Sequence, residues 1–209
     1  AETATTAIAK LEAQLNQLSL LVETKKWAEA NTLLPEIQAA IANLSPSRDA
    51  VYARVNFAQS WLKIAEEQRQ LTNTQEVARL LATAVQQAKQ LQDPRAQSYA
   101  LNELGRLYQQ TGQLADAQNL TQQALILAQG IRADDIVART QAQQGQIFKQ
   151  QGEIERAIAA YTEAVNTLQS LRNELVAINP DVQFSFRDSV EPIYRELVGL
   201  LLLDTRSPQ

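Results

Sequence analysis

The 209-residue sequence contains no cysteine and no histidine. Without cysteine there is no disulfide and no thiolate chemistry. Without histidine as well, a Cys/His zinc site is excluded, and so is an imidazole general base. Glycine and proline are sparse, at 6 each, and aromatic residues make up 5% of the chain. No apolar run approaches the ~20 residues of a membrane-spanning helix. The longest run, Leu197 to Leu203, is far shorter. The formal net charge is -4, opposite in sign to the clustered Lys and Arg on which non-specific nucleic-acid binding runs. No phosphate loop, dinucleotide glycine fingerprint or nucleophile elbow occurs. The acidic pairs Glu66-Glu67 and Asp134-Asp135 are adjacent in sequence, so their side chains point to different sides of a helix. Asp134-Asp135 fits a helix N-terminus through the dipole better than it fits a metal site. The expectation is a chain with no catalytic group, metal or cofactor.

What is present is Ala, Leu and Gln, within a hydrophobic content of 45%. These residues lose little rotamer freedom in a helix, which makes the expected fold all-α. The chain also repeats itself. Gly145 follows Gly105 by 40 residues, and Gly152 follows Gly112, Ala157 follows Ala117 and Ala164 follows Ala124 at the same offset. Phe148 likewise stands where Tyr108 stood, and Tyr161 takes the place of Thr121. Each copy reads as a helix, a turn at the second glycine, and a second helix. Gly105 and Ala117 mark a crossing where only small side chains let two backbones approach. Tyr108 and Leu114 fill the space beside it. Gly112 ends the first helix in the left-handed conformation that glycine adopts without steric cost.

Two weaker copies precede these. In the first, Trp27, Ala30, Leu34 and Ile37 follow a turn at helical spacing, with Pro35 inside the helix as an expected kink. In the second, a helix over Tyr52 to Gln70 places Trp61, Ile64 and Ala65 where the later copy has Leu101, Leu104 and Gly105. Its partner helix starts at Asn73 or Thr74. Trp27 and Trp61 have the spacing of core residues. Ser45-Pro46-Ser47 and Asp93-Pro94 are further breaks, the second fitting a helix start with Pro in the first turn.

The order Leu104-Gly105, Tyr108, Gly112, Ala117, Ala124 and its second copy, over roughly Ala96 to Leu171, resembles the tetratricopeptide repeat. That resemblance implies a right-handed α-solenoid of antiparallel helix pairs, here with a period of about 40 residues instead of the family's ~34. Residues 1–178 are expected to form four such units, and 179–209 an extended linker and a capping helix. Asn179-Pro180 is a helix stop, Asp181 to Phe186 reads as extended, and a last helix over Asp188 to Leu203 places Val190, Ile193, Tyr194, Leu197 and Leu201 on one face.

The segment from Leu171 to Leu203, with "NPDVQFSFRDSVEPIYRELVGLLL" at its centre, resembles the stretch that joins tetratricopeptide repeats to a caspase-like protease domain in the CHAT proteins, which are frequent in cyanobacteria. The resemblance implies the repeat region of a longer protein, leading toward a C-terminal domain. Catalysis in that family uses a Cys and a His, and no residue here can take either role. What the resemblance implies for this chain is a non-catalytic scaffold that presents or recruits partner proteins. A free-standing adaptor is the alternative.

In a solenoid the first helix of each unit lines a concave groove. Anchored on Gly105 and Gly145, the groove-facing residues are Tyr99, Asn102, Arg106 and Gln109, then Arg139, Gln143, Gln146 and Lys149. Gln59, Lys63, Glu66 and Arg69 precede them by the weaker alignment. Five cations on this surface suit a protein or peptide partner, preferably acidic. Leu197 to Leu203 offers apolar surface for a protease domain or a second copy. A soluble chain, cytoplasmic in preference to exported, is expected. If the repeat reading holds, Ala117→Leu and Ala157→Leu each overpack a helix crossing and cost on the order of 1–3 kcal/mol in a thermal melt. Neutrality at both positions would overturn it.

Overall fold

The computed structural model describes residues 2–68, 74–178 and 183–204, with side chains over 8–68, 74–172 and 190–203. Those residues are helical with short connections. α1 (Glu2–Glu23), α2 (Trp27–Ala42), α3 (Arg48–Glu67), α4 (Thr74–Gln90) and α5 (Pro94–Gln110) come first. α6 (Leu114–Gly130), α7 (Asp134–Gln151), α8 (Ile154–Ile178) and α9 (Gln183–Asp204) follow. No strand occurs among the described residues, and the fold is an all-α solenoid of helix pairs. The chain divides into two compact units, Ala1–Leu107 and Tyr108–Gln209, with the boundary inside α5.

The helix ends explain the regularity. Gly112 and Gly152 take φ of 78° and 80°. In each case the glycine N–H donates to the carbonyl three residues back, and the next N–H donates to the carbonyl five back. At Gly152 these acceptors are Lys149 (3.1 Å) and, from Glu153, Phe148 (2.9 Å). This is the Schellman closure. Lys25, Gln92 and Arg132 close their helices with the same pair of bonds, at φ of 57°, 53° and 54°. Positions 92, 112, 132 and 152 are spaced by 20 residues, so helix starts recur at 94, 114, 134 and 154. The repeat of 40 is two such steps. Three of the five closures carry a side chain in the left-handed region, which is why glycine alone did not reveal them.

Helix starts depend on composition more than on caps. Ser47 accepts a bond from the Ala50 N–H at 3.1 Å, and Asp93 Oδ1 accepts one from Ala96 at 3.0 Å. These are the two breaks expected at Ser45-Pro46-Ser47 and Asp93-Pro94. Gln113 and Ala133 give no side-chain cap. There Asp116, and Asp134 with Asp135, complement the helix dipole from the first turn.

In the first unit α1, α2 and α3 pack on one another through Leu11, Leu18, Ile37, Ile41 and Val51. Trp61 and Phe57 are buried, with ring centroids 5.2 Å apart. Buried Arg54 donates to the Ile41 carbonyl (3.2 Å) and to that of Ala50 (2.9 Å). It thereby brings a cation to the C-terminal end of α2, where the dipole favours positive charge. Pro35 lies inside α2 on its exposed side.

In the second unit α6–α7 and α7–α8 pair tightly, and α9 packs on α8. α9 differs from expectation at both ends. Residues 183–186 are helical, not extended, and Asp188 lies within the helix instead of at its start. Positions 69–73 and 179–182, including the expected stop at Asn179-Pro180, lie outside the described residues. Val190 and Leu200 are the buried anchors of α9, while Leu201 is exposed, so Leu200 takes the inward place assigned to Leu201. The shift is one residue, within the tolerance of a 3.6-residue period.

The closures make a direct test. Gly152→Ala forces a Cβ into the left-handed region and lowers stability by about 1–2 kcal/mol. Arg132→Gly relieves that strain but frees the unfolded chain, and so raises stability by less than about 1 kcal/mol. Denaturant titrations of the two variants should therefore move in opposite directions.

Candidate partner-binding site

The face expected to bind a partner comes from first helices, and each unit shows its own portion of it. In the first unit α3 presents Tyr52, Asn56, Gln59 and Lys63 at helical spacing. α5 presents Tyr99, Asn102 and Arg106 beside them. The Tyr99 hydroxyl lies 3.1 Å from Gln59 Oε1 and 3.4 Å from Asn56 Oδ1. Its ring meets that of Tyr52 at 5.7 Å between centroids, tilted by 36°. Tyr52 and Asn56 were not among the expected residues. Their signal was the i, i+4, i+7, i+11 run through Gln59 and Lys63.

Charge on this face is already matched. Arg106 Nε donates to Glu103 Oε2 at 2.9 Å, and the Glu103 side chain is 3% exposed. Lys63 is exposed, and Glu66 is exposed two residues from the end of α3. Asn102 is 1% exposed, and its Oδ1 has no hydrogen-bond partner. Arg69 lies outside the described residues.

In the second unit Gln109 is buried and donates to Gln146 Oε1 at a long 3.4 Å, while its own Oε1 is unpartnered. Arg139 and Gln146 are exposed. Lys149 donates to Glu196 Oε2 of α9 at 2.6 Å, both groups being partly exposed. A pair so exposed contributes at most about 1 kcal/mol, but it offsets the Lys149 charge. Two of the five cations expected to make this surface positive are thus paired with carboxylates.

Gln143 does not face a groove. It is buried, and its Nε2 donates to Thr121 Oγ1 of α6 at 3.2 Å. Its equivalent 40 residues earlier is Glu103, also buried; the residue equivalent to Asn102 is Ala142. Gln143 belongs instead to a seam of amides between helices. Gln144 donates to Gln122 (2.8 Å), Gln151 to Gln118 (3.2 Å), and Thr167 to Gln141 (2.9 Å). This seam accounts for the glutamine content of the second unit.

Beneath the face, the crossing anchored by Gly145 is tight. A Cβ at Gly145 would lie 2.6 Å from Cδ2 of Tyr161, whose ring is fully buried. Phe148, Ala157 and Leu200 complete this cluster, with Ile193 and Leu197 of α9 packed against it. Arg156 stacks over Phe148 at 3.9 Å from the ring centroid and pairs with Glu153. The outer side of α9 leaves Val198, Leu201, Leu202 and Leu203 exposed. Among the described residues no group of three or more acidic side chains could hold a metal ion, and no helix is long and apolar enough to cross a membrane.

A tetratricopeptide-repeat family model matches residues 95–170. No curated protein matches the chain in sequence. Solved structures match its fold. The nearly identical tetratricopeptide-like repeats of a putative kinesin light chain from Podosopora anserina share 17% identity, with a TM-score of 0.60, over 96% of this chain and 99% of that one. BtubC from P. vanneervenii shares 13%, with a TM-score of 0.56, over 100% of this chain and 92% of that one. A signal-transduction ATPase of the STAND type from Pyrococcus horikoshii, with a tetratricopeptide-repeat sensor, shares 15% with a TM-score of 0.59. The match covers 95% of this chain but 34% of that protein. Likeness at these identities establishes the fold of helix pairs. Repeats of this kind generally mediate protein–protein interaction and are generally non-catalytic.

Tyr161 offers a pH test of the crossing. Burial, and then the negative charge of Glu196, raise its pKa above the ordinary phenol value; the Gln146 amide opposes the shift without reaching hydrogen-bond geometry. The unfolded phenol ionises first, near pH 10. Stability is therefore complete below that pH and falls as pH rises above it. Tyr161→Phe removes this alkaline loss and, because the hydroxyl lacks a partner, leaves stability at neutral pH unchanged or higher. Unfolding curves from neutral pH to above pH 10 check both.

Proposed function

We propose that the chain is a non-catalytic interaction scaffold that holds an extended segment of a partner protein on the faces of its first helices. In a solenoid these faces line a concave groove. The observation that supports this most is the face on α3 and α5, where Tyr52, Asn56, Gln59 and Tyr99 form an ordered aromatic and amide surface open to solvent. On this reading residues 1–178 form four helix-pair units and α9 closes the last of them. Lys149, Arg139 and Gln146 extend the surface in the second unit.

The resemblance of Leu171 to Leu203 supports placing these repeats in a CHAT-type protein of the kind found in cyanobacteria, before a caspase-like protease domain. The exposed apolar end of α9 would then face that domain. The free-standing adaptor keeps the same surface and lacks the protease. The codons after Gln209 separate the two, since an α/β domain bearing Cys and His belongs to the first alone.

The binding face itself is tested by Tyr99→Ala and Arg139→Glu, one in each unit. Each should weaken capture of a selected partner peptide by about tenfold or more, the loss of roughly one strong contact, without a change in helical content. Unchanged binding in both variants would remove the face from the proposal.

A further inference from the structure

Asn102 is the anomaly of the first unit. Its carbonyl oxygen is buried and accepts nothing, while Tyr99 and Arg106 stand one turn before and after it on the same face of α5. A buried acceptor without a donor is a cost to the fold, of the kind that native structures rarely leave unexplained. An apolar residue of the same size would avoid it. Resting on the proposed interaction function, we propose that Asn102 Oδ1 is reserved for a main-chain N–H of the bound segment, and that the segment is uncharged where it crosses this unit.

The chemistry of the donor follows from what surrounds it. Lys63 and Arg106 flank the site on α3 and α5, so an arginine or lysine from the partner would enter against two like charges. An acidic side chain offers no donor, and the Arg106 charge is already offset by buried Glu103. A neutral N–H remains, and an extended peptide supplies one at every residue except proline. The neighbouring groups suit the same ligand. Asn56 and Gln59 are amides that can both donate and accept, and the Tyr52–Tyr99 pair gives a flat apolar surface for a neutral side chain. Access needs only rotamer changes of half-buried Tyr99 or Arg106, which are fast for side chains at a surface.

This assignment predicts that stability and affinity move in opposite directions. The probe is a short peptide selected from a random displayed library on the wild-type chain. Asn102→Leu should raise the melting temperature, because the orphaned acceptor is gone, and should weaken the peptide by about tenfold, the value of one lost hydrogen bond in a desolvated site. Methylating one main-chain nitrogen of the peptide should cause a similar loss with wild type and none with Asn102→Leu. Binding should be nearly independent of salt, and the selected peptides should be neutral over the segment that contacts Tyr99. Asn102→Leu with unchanged affinity would overturn the assignment, as would a lowered melting temperature with unchanged affinity, which marks Asn102 as a purely structural residue. Acidic, salt-sensitive peptides would overturn it too. If Tyr99→Ala weakens the peptide while Asn102→Leu does not, the binding face stands and the Asn102 assignment fails. If neither variant matters, or no peptide is selected, both fall.

Discussion

The fold depends on how its helices end. A helix stopped by a left-handed residue turns the chain back through two backbone hydrogen bonds, and the next helix begins at once. From Gln92 onward this happens every 20 residues. Helices of equal length joined by equal turns place their side chains in equivalent surroundings, which makes a repeat. The closure is a backbone event and tolerates several residue types, but not for the same energy. Gly112 and Gly152 adopt it freely, while Lys25, Gln92 and Arg132 hold a strained conformation that the packing on either side maintains.

Within this frame the interior is filled in different ways. At Gly145 the missing side chain makes room for the Tyr161 ring. Forty residues earlier the position of that ring is held by Thr121, whose hydroxyl bonds to Gln143 and to the Ala117 carbonyl. Ala117 and Ala157 stay small and fully buried in both copies. Equivalent space can therefore be filled by an aromatic ring or by a hydrogen-bonded polar pair, provided the small residue at the crossing is kept. The amide seam between α6 and α7 follows from the same freedom. Gln143, Gln144 and Gln151 each find a partner across it, so they can be buried without the penalty of an unsatisfied group.

The glycine and alanine spacing was legible in the sequence because it reports backbone approach, which few residue types allow. The helix breaks at Ser47 and Asp93 were legible for a similar reason, since capping side chains and proline act locally. The surface was less so. Gln143 and Ala142 differ by one position, a rotation of about 100° on a helix, and nothing in their types says which faces inward. A buried glutamine is identified by its partner, Thr121, which the sequence places 22 residues away. The charge of Lys149 is offset from Glu196, 47 residues on, across a helix whose extent was underestimated. Pairing between elements far apart in sequence is set by packing, and periodicity within one element carries no trace of it.

Charge and burial together say what kind of surface such a chain offers. An exposed lysine or arginine attracts any acidic partner, and salt screens it. When the cation is held by its own carboxylate, as Arg106 is by Glu103, that long-range attraction falls and shape and hydrogen bonding decide the fit. The amides and tyrosines on α3 and α5 are groups of this second kind, since they act only at contact distance. Keeping a buried amide oxygen unsatisfied among them weakens the folded chain, and a repeat frame shared by many helix pairs can absorb that local cost. An oxygen so placed loses no interaction with water or protein when a donor arrives, so the whole of its hydrogen bond is available to the complex. A surface built in this way is weak as a general attractor and selective at contact, which is the balance a recruiting scaffold needs.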